Sequence, residues 1–416
     1  MKVNTNPARG MRDFLPQEHA IREYVEKTIV NLYKQNGFEL IETPVVENID
    51  NLMGSQGGEN LNLIFKILKR GNKLNLQQEN LTEEDIVEFG LRYDLTVPLS
   101  RFYCNNKSRL PTVFKAIQVG NVFRAERAQK GRYRSFKQCD IDIIGDGTCN
   151  AEIELLTASA GALTALGVKD FQIRINDRRI LNAVITGSGF PTSDIGSICI
   201  ILDKLDKIGL DGVEKELLAN DYAKDAVTKI TQALKTMGQD HLDHLMTYPL
   251  DHNIVDEMKK IINTVNDLSG GAYDIVYDFS LIRGMGYYTG PIFEIVYKDL
   301  GYSIAGGGRY DKMIGEFIGQ DIPAVGFSIG FERLVNQLID ENYLIEGPKR
   351  IAVLYDSADD FKEVMTYANQ LRSQGSIVLT SLKPKKMAKY LNQLSDSGYQ
   401  FFTQKTDDQW EIKPIS

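Results

Sequence analysis

From Gln17 to Gln35 apolar residues recur at helical spacing: Ile21, Tyr24, Val25, Ile29, Leu32 and Tyr33 form one stripe, and Asn36-Gly37 supplies the stop. An amphipathic helix is predicted there. Glu39 to Val46 reads as a strand that contains Pro44. Further on, the chain opens apolar at Val122-Phe123, turns at Gln129-Lys130-Gly131 and returns through Tyr133, Phe136 and Ile141, which predicts an antiparallel hairpin. Ala151–Leu166 is apolar and alanine-rich, a buried helix, and Phe171–Asn176 alternates as a strand. The texture changes between about Gly187 and Ser269, where helical patterns at Ile198–Ile208, Ala223–Met237 and Ile254–Leu268 follow one another with little strand signal. Apolar alternation resumes at Tyr273–Asp278 and Pro291–Val296, interrupted by glycine turns. Such a succession predicts an α+β chain: an antiparallel sheet flanked by helices and carrying a helical insertion, not a doubly wound sheet.

Glu346-Gly347-Pro348-Lys349 punctuates the chain like a linker. Beyond it, strands are predicted at Ile351–Tyr355, Ile377–Thr380 and Tyr399–Thr403, with helices at Phe361–Arg372 and Lys385–Leu394, a small α/β unit. The expected domains are residues 1–186 and 270–345 for the main sheet, 187–269 for the insertion and 349–416 for the terminal unit. No internal repeat stands out.

Composition narrows the class without deciding it. With 416 residues, 43% hydrophobic and 25% charged, the chain has length for several domains and the balance of an ordinary soluble protein. Its N-terminus, MKVNTNPARG, has no apolar core of a secretory signal, and no run approaches membrane-spanning length. Cys104, Cys139, Cys149 and Cys199 are scattered and form no CxxC pair, so neither a disulfide framework nor a zinc site is indicated. The expected compartment is cytoplasmic. A net charge of -8 confines any nucleic-acid contact to local basic patches.

Candidate chemistry concentrates in residues 122–142, VFRAERAQKGRYRSFKQCDID. Arg124, Arg127, Lys130, Arg132 and Arg134 precede a run ending in carboxylates, with Arg92 and Arg101 upstream. Guanidinium forks suit bidentate contact with phosphate. On the returning strand, period two puts Gln138, Asp140 and Asp142 on one face. Cationic at one end and anionic at the other, such a site fits a nucleoside triphosphate beside an amine.

This hairpin resembles motif 2 of class II aminoacyl-tRNA synthetases, in the form carried by the histidyl-tRNA synthetase family. Collinear segments agree: Arg9-Gly10-Met11-Arg12-Asp13-Phe14-Leu15-Pro16 resembles the family's N-terminal signature, and Leu91-Arg92-Tyr93-Asp94-Leu95-Thr96-Val97-Pro98 its first histidine-pocket segment. Leu281-Ile282-Arg283-Gly284-Met285-Gly286-Tyr287-Tyr288-Thr289-Gly290 and Ala305-Gly306-Gly307-Gly308-Arg309-Tyr310-Asp311 resemble the histidine-specific motifs. Gly326-Phe327-Ser328-Ile329-Gly330-Phe331-Glu332-Arg333-Leu334 resembles motif 3. One glycine-rich match is weak evidence; an ordered series over nearly the whole chain is strong.

The resemblance implies activation of histidine by ATP with Mg2+, transfer to tRNA(His), and a homodimer built through the first helix and strand. Pattern alone fits that helix and strand equally well to a core pair. In this chemistry a carboxylate, already ionised, attacks the α-phosphorus, so catalysis comes from positioning and from neutralising developing charge. By resemblance, Arg124, Arg283 and Arg333 are the catalytic cations. Arg124, Glu126, Arg132, Arg283, Gly330 and Arg333 would bind ATP. Asp94, Leu95, Thr96, Gln138, Asp142, Tyr287 and Tyr288 would bind histidine, with Asp94, Thr96 and Gln138 holding the ammonium and Asp142 and Tyr288 reading the ring nitrogens.

The family usually has an aspartate where Gly286 stands, and its anticodon-binding domain usually runs longer than residues 349–416. His241, His244 and His252 have no cysteine nearby and no ordinary zinc spacing, so no protein metal site is expected. Lys383, Lys385, Lys386 and Lys389, beside Tyr390, fit a solvated helix face as well as contact with an anticodon stem. The alternative is a non-catalytic, histidine-sensing relative such as the regulatory subunit of ATP phosphoribosyltransferase. Such relatives usually lose the arginines that this chain keeps at Arg124, Arg132, Arg283 and Arg333.

Overall fold

The computed structural model describes the chain except residues 1–2, 55–61, 128–131, 237–241, 243–244, 246, 283–286, 298–302, 342, 344–346, 407–408 and 416. Its described residues divide into two compact units, residues 1–12 with 25–337 and residues 13–24 with 338–416.

In the larger unit the chain leaves the helix Pro16–Gln35 at Gly37, whose φ of +80° suits a residue without Cβ. Val25, Ile29 and Tyr33 of the expected stripe are fully buried. The strand expected over Glu39–Val46 is instead two short ones in different sheets, β1 (Glu39–Ile41) and β2 (Val46–Asn48). Pro44 lies between them, and a residue without an N–H cannot continue a ladder. β2 joins β3 (Lys66–Leu68) and β4 (Val87–Leu91) in a small antiparallel sheet of order β2-β4-β3.

The main sheet has eight strands in the order β1-β5-β6-β11-β10-β9-β7-β8. Its members after β1 are β5 (Phe114–Phe123), β6 (Ser135–Ile144), β7 (Phe171–Asp177), β8 (Asp274–Tyr277), β9 (Pro291–Tyr297), β10 (Ser303–Arg309) and β11 (Ala324–Gly330). Pairing is antiparallel from β5 across to β7; only the outermost pairs, β1 with β5 and β7 with β8, are parallel. The expected hairpin is β5–β6, with Gly120 opposite Gln138 and Phe123 opposite Ser135. Its expected turn, Gln129-Lys130-Gly131, lies outside the described residues.

Alternation along β6 separates two environments. Cys139, Ile141 and Ile143 are buried on one face, each worth roughly 1.5–3 kcal/mol in apolar burial for the isoleucines. Gln138, Asp140 and Asp142 occupy the other. The helices Asn150–Ala165 and His252–Ser269 pack together, the first also against β6 and β11 and the second against β8. Between β7 and β8 come the helices Arg178–Gly187, Ile195–Leu202, Leu205–Ala219 and Lys224–Thr236. The helix expected over Ile198–Ile208 is broken after Leu202, and the one that follows is kinked at Gly209, where φ is 67°. That left-handed conformation is one an L side chain resists.

In the smaller unit β12 (Arg350–Tyr355), β13 (Ile377–Leu382), β14 (Phe401–Thr406) and β15 (Gln409–Pro414) form a sheet of order β13-β12-β14-β15. β12 is parallel to both neighbours, and β15, which the sequence pattern does not predict, closes the edge antiparallel to β14. Ile351 and Val353 pack with Val364, Ala368 and Leu371 of the helix Phe361–Ser373; Ala352 and Leu354 pack with Leu394 of Met387–Asp396. A central parallel strand buried on both faces reads as a continuous apolar run, as IAVLY does.

Candidate active site

On the face of the main sheet away from Cys139 and Ile141 lies a cavity of about 370 Å³, a volume suited to a small ligand. Its floor is the glycine-rich pair β10–β11. A Cβ on Gly307 would lie 1.9 Å from the Gly326 carbonyl oxygen, and one on Gly326 would lie 2.0 Å from an Asp142 carboxylate oxygen. Glycine is therefore what lets the two backbones and the acid approach so closely.

Acidic groups line one end. Asp94 follows β4 and receives the Val97 backbone N–H at 3.2 Å, which places it at the start of the helix Thr96–Asn106. Gln138, Asp140 and Asp142 reach in from β6, and Tyr287, Tyr288 and Tyr310 close the aromatic side. The Tyr310 hydroxyl donates to Asp142 Oδ1 at 2.6 Å. Tyr287 meets Tyr310 edge-on, with ring centroids 6.4 Å apart.

Burial pushes the Asp142 carboxyl up to about 7 and nearby Asp94 adds to the rise, while the bond from Tyr310 works against it. Asp94 is pushed up to about 6, chiefly by burial, opposed by the Val97 N–H and the Arg124 guanidinium. Asp140 is held well above the usual carboxylate range by burial and by Asp142. Crowded acids away from water favour the arrival of a cationic or proton-donating ligand.

Cationic groups gather at the other end. Arg124, the first residue after β5, donates from Nε to the Tyr93 carbonyl at 3.1 Å and lies over the Phe136 ring at 5.2 Å. The arginines of the hairpin thus lie beyond its strand, not along it. Arg132 stands 3.6 Å from Glu126 and is half exposed. Arg333, in the first turn of the helix Phe331–Asp340, donates to the Ser303 carbonyl at 2.5 Å. Thr96, Gly330, Glu126 and Glu332 also line the cavity.

Several expectations meet this geometry differently. Asp94, Thr96, Arg124, Glu126, Arg132, Gln138, Asp142, Tyr287, Tyr288, Gly330 and Arg333 all border the same space. Leu95 does not: its side chain is buried in the core and its carbonyl accepts from Gln118 Nε2 at 2.8 Å. Between Asp94 and Thr96, both turned to the cavity, the intervening side chain points away. Arg283 and Gly286 lie outside the described residues. Arg92 is structural, donating to the Asn121 and Thr43 carbonyls, and Arg101 pairs with Glu47 at 2.5 Å. Tyr310, Ser328 and Phe136 went unassigned from sequence; the signal for Tyr310 was its place directly after the glycine run.

Magnesium binds through hard oxygen donors, keeps several waters and shares one or two carboxylates with substrate phosphates. Glu126 and Glu332 provide carboxylates at the arginine end, so the donor set fits an ion that arrives with a triphosphate. Among the described residues there is no group of three or more His, Cys, Asp or Glu side chains that could hold a metal by themselves. No described helix is long and apolar enough to cross a membrane.

An antiparallel sheet with a glycine-floored cavity between arginines and acids is the architecture of a class II aminoacyl-tRNA synthetase. Residues 10–334 match the family model described as histidyl-tRNA synthetase. A histidine–tRNA ligase of Leifsonia xyli subsp. xyli is 40% identical over 411 residues, covering 95% of this chain and 94% of that protein. A probable histidine–tRNA ligase of Tropheryma whipplei is 40% identical over 410 residues, covering 95% of this chain and 94% of its own length. The crystal structure of histidyl-tRNA synthetase from Nostoc sp. PCC 7120 superposes with a TM-score of 0.82 at 27% identity, covering all of this chain and 95% of that one. A Bacillus halodurans protein described as an ATP phosphoribosyltransferase regulatory subunit/histidyl-tRNA synthetase shares the fold, with a TM-score of 0.78 at 21% identity. The chain belongs to the histidyl-tRNA synthetase family.

Proposed function

We propose that the chain is an ATP-dependent histidine–tRNA ligase. A histidine carboxylate oxygen attacks the α-phosphorus of ATP, the bond to the β-phosphate oxygen breaks, and pyrophosphate leaves with the electron pair. The terminal ribose hydroxyl of tRNA(His) then displaces AMP from the adenylate. The observation that carries this reading is one cavity bordered both by Arg124, Arg132 and Arg333 and by Asp94, Asp140 and Asp142.

In this reading Arg124 neutralises charge on the α-phosphate, and Arg132 and Arg333 hold the distal phosphates. Arg283 adds a cation at the reacting phosphate. Glu126 or Glu332 would help to hold magnesium arriving with the phosphates, and the ion would supply further charge neutralisation there. Asp94, Thr96 and Gln138 hold the ammonium. Asp142 accepts from one ring nitrogen while Tyr288 meets the other. A homodimer, an acceptor-arm contact through residues 187–269 and an anticodon contact through residues 349–416, with Lys385, Lys386 and Lys389, complete the proposal, in a cytoplasmic setting.

A histidine sensor has no need of arginines that converge on a triphosphate, and this chain places Arg124, Arg132 and Arg333 around one space. ATP–pyrophosphate exchange with each of the twenty amino acids tests the reading, followed by charging of tRNA(His). Exchange with histidine alone is expected. Histidine binding without exchange would return the chain to the sensing class, and exchange without charging would make it an adenylating enzyme with another acceptor.

A further inference from the structure

Period two along β5 puts Ala116, Gln118 and Gly120 on one face, and their register partners on β6 are Asp142, Asp140 and Gln138. Directly opposed residues of an antiparallel pair share a face, so Gln118 stands on the cavity side of the sheet. Yet it does not border the cavity: it is buried, packed with Thr43 and Arg92, which are buried too. The small residues on either side of it leave room. A Cβ on Gly120 would lie 2.2 Å from Nη2 of Arg92, the first residue after β4.

These side chains form a relay of donors. Arg92 Nη1 donates to Thr43 Oγ1 at 3.2 Å, Thr43 Oγ1 donates to Gln118 Oε1 at 3.0 Å, and Gln118 Nε2 donates to the Leu95 carbonyl at 2.8 Å. Its direction is fixed at both ends. A guanidinium only donates and a carbonyl only accepts, so the Gln118 amide must turn its NH2 to Leu95 and its oxygen to Thr43. Leu95 lies between Asp94 and Thr96, both of which border the cavity. Ahead of Asp94 the same stretch is tied to the end of β5, by the Phe123 N–H to the Arg92 carbonyl at 2.9 Å and by Arg124 Nε to the Tyr93 carbonyl at 3.1 Å. Gln118 supplies the tie beyond Asp94. Neither end of the relay depends on it for satisfaction, since the Leu95 carbonyl also accepts from the Leu99 N–H at 3.1 Å and Arg92 Nη1 also donates to the Thr43 carbonyl at 2.8 Å. What the buried amide adds is the placement of the Leu95 peptide.

We infer that Gln118, oriented by Thr43 and Arg92, is a positioning residue that holds the Asp94–Thr96 backbone so that both side chains meet the amino-acid substrate. This rests on the proposed ligase reading, in which Asp94 and Thr96 receive the α-ammonium. Gln118 acts through the backbone and touches no substrate. Without its NH2 the stretch beyond Asp94 is held to β5 on one side only, and the two side chains lose their common aim. The phosphate end of the cavity is built by other elements and keeps its geometry.

The full chain is compared with Thr43→Ser, Gln118→Met and the double variant Thr43→Val with Gln118→Met, by equilibrium histidine binding, ATP–pyrophosphate exchange and thermal unfolding. The double variant removes donor and acceptor together and leaves Arg92 and the Leu95 carbonyl their other partners, so its Tm is expected within about two degrees of wild type. Its histidine Kd and KM are nevertheless expected to rise about fivefold or more, the equivalent of one hydrogen bond, with the ATP KM within about twofold. Gln118→Met alone should show the same rise, with none added by the second substitution, because the two side chains act as one unit. It carries the test should the double variant not fold. Thr43→Ser keeps the hydroxyl and should bind histidine within about twofold of wild type. Imidazolepropionate, which has the ring and the carboxylate but no ammonium, should bind wild type and double variant within about twofold of each other. A double variant of wild-type Tm that binds histidine as wild type does, or that loses histidine and imidazolepropionate equally, overturns the inference. Wild type that binds histidine without exchange removes the ligase reading alone, since the binding arm still decides the role of Gln118.

Discussion

Tyr310 donates its phenolic proton to Asp142 at 2.6 Å, across 168 positions of sequence. The bond joins the residue after β10 to the C-terminal part of β6, and both side chains are buried. It orients one carboxylate oxygen and leaves the other for a ligand. Burial has already raised the Asp142 carboxyl to about 7, and Tyr310 is what holds it from rising further. Tyr310→Phe should therefore raise the histidine KM by about tenfold or more, since a hydrogen bond to a charged group is worth roughly 1.5–3 kcal/mol. The acid limb of kcat/KM should also move to higher pH, because that limb reports the free enzyme. A KM change with no movement of the limb would separate Tyr310 from the ionisation of Asp142.

The same acids set a pH dependence of stability with a definite sign. Asp142 rises from an ordinary 3.8 to about 7 and Asp94 to about 6. In the unfolded chain both ionise near their ordinary values; in the folded one they keep their protons longer. Their contribution to stability is thus fully present below about pH 4 and is lost as pH rises through 6 and 7. Ligand-free Asp142→Asn should be less sensitive to pH across that window than wild type, by on the order of 1–3 kcal/mol at its upper end. Unfolding monitored at pH 5 and pH 8 checks this. Equal pH sensitivity in the two proteins would mean that Asp142 is hydrated and ionises freely.

What could be read from sequence was local. The stripe Val25, Ile29 and Tyr33 gave the first helix, and period two put Gln138, Asp140 and Asp142 on a common face. Other features depended on contacts far apart in sequence. That Asp142 needs a phenol is invisible along β6; it follows from the pairing of Gly326 with Asp142, which brings the end of β10 alongside. The single expected strand over Glu39–Val46 failed at Pro44, because apolar spacing does not count backbone donors. Leu95 shares a motif with Asp94 and Thr96, yet side-chain direction turns it into the core. Recognition of the motifs placed the arginines at a common site, but only the pairing of strands explains how they meet.

Adjacent glycines of the floor should fail in different ways. An added Cβ at Gly307 meets backbone, the Gly326 carbonyl oxygen at 1.9 Å and Phe327 Cα at 2.8 Å. Neither can yield without parting β10 from β11, so Gly307→Ala should lower Tm by several degrees, the cost of a few kcal/mol of overpacking. At Gly326 the first obstacle is the Asp142 carboxylate at 2.0 Å, the end of a side chain. Gly326→Ala should fold more nearly like wild type and raise the histidine KM by about tenfold or more as the acid is displaced. Thermal unfolding and exchange kinetics on the two variants would expose a reversal of this order.

Arg333 distinguishes the two ends of the cavity. It lies with Arg124 and Arg132 at the cationic end, anchored to the Ser303 carbonyl. Removing a cation that holds the distal phosphates, which leave as pyrophosphate, should lower the exchange rate by about 10²-fold or more while leaving histidine affinity within a few-fold. Arg333→Ala examined by exchange and by equilibrium histidine binding gives both numbers. A loss of histidine affinity equal to the loss of rate would place Arg333 at the amino-acid end.

Arg309, two residues beyond Gly307 in the same motif, has a different task. Its guanidinium makes a buried fork to Glu152, with Nε at 2.6 Å and Nη2 at 2.7 Å, and also reaches Asp311 and the carbonyls of Asp146 and Thr148. Arg309 does not border the cavity. Glu152 is almost fully buried, and burial alone would push its carboxyl up; the guanidinium beside it resists that. Arg309→Ala leaves that carboxylate alone in the core, which costs about 3–5 kcal/mol, whereas replacing both partners by apolar residues of similar size is nearly neutral. Arg309→Ala should therefore lower Tm sharply, and Arg309→Met combined with Glu152→Leu should recover most of the loss. Exchange activity per folded molecule should follow the folded fraction. An Arg309→Ala protein of normal Tm that cannot exchange would instead put this guanidinium on the substrate.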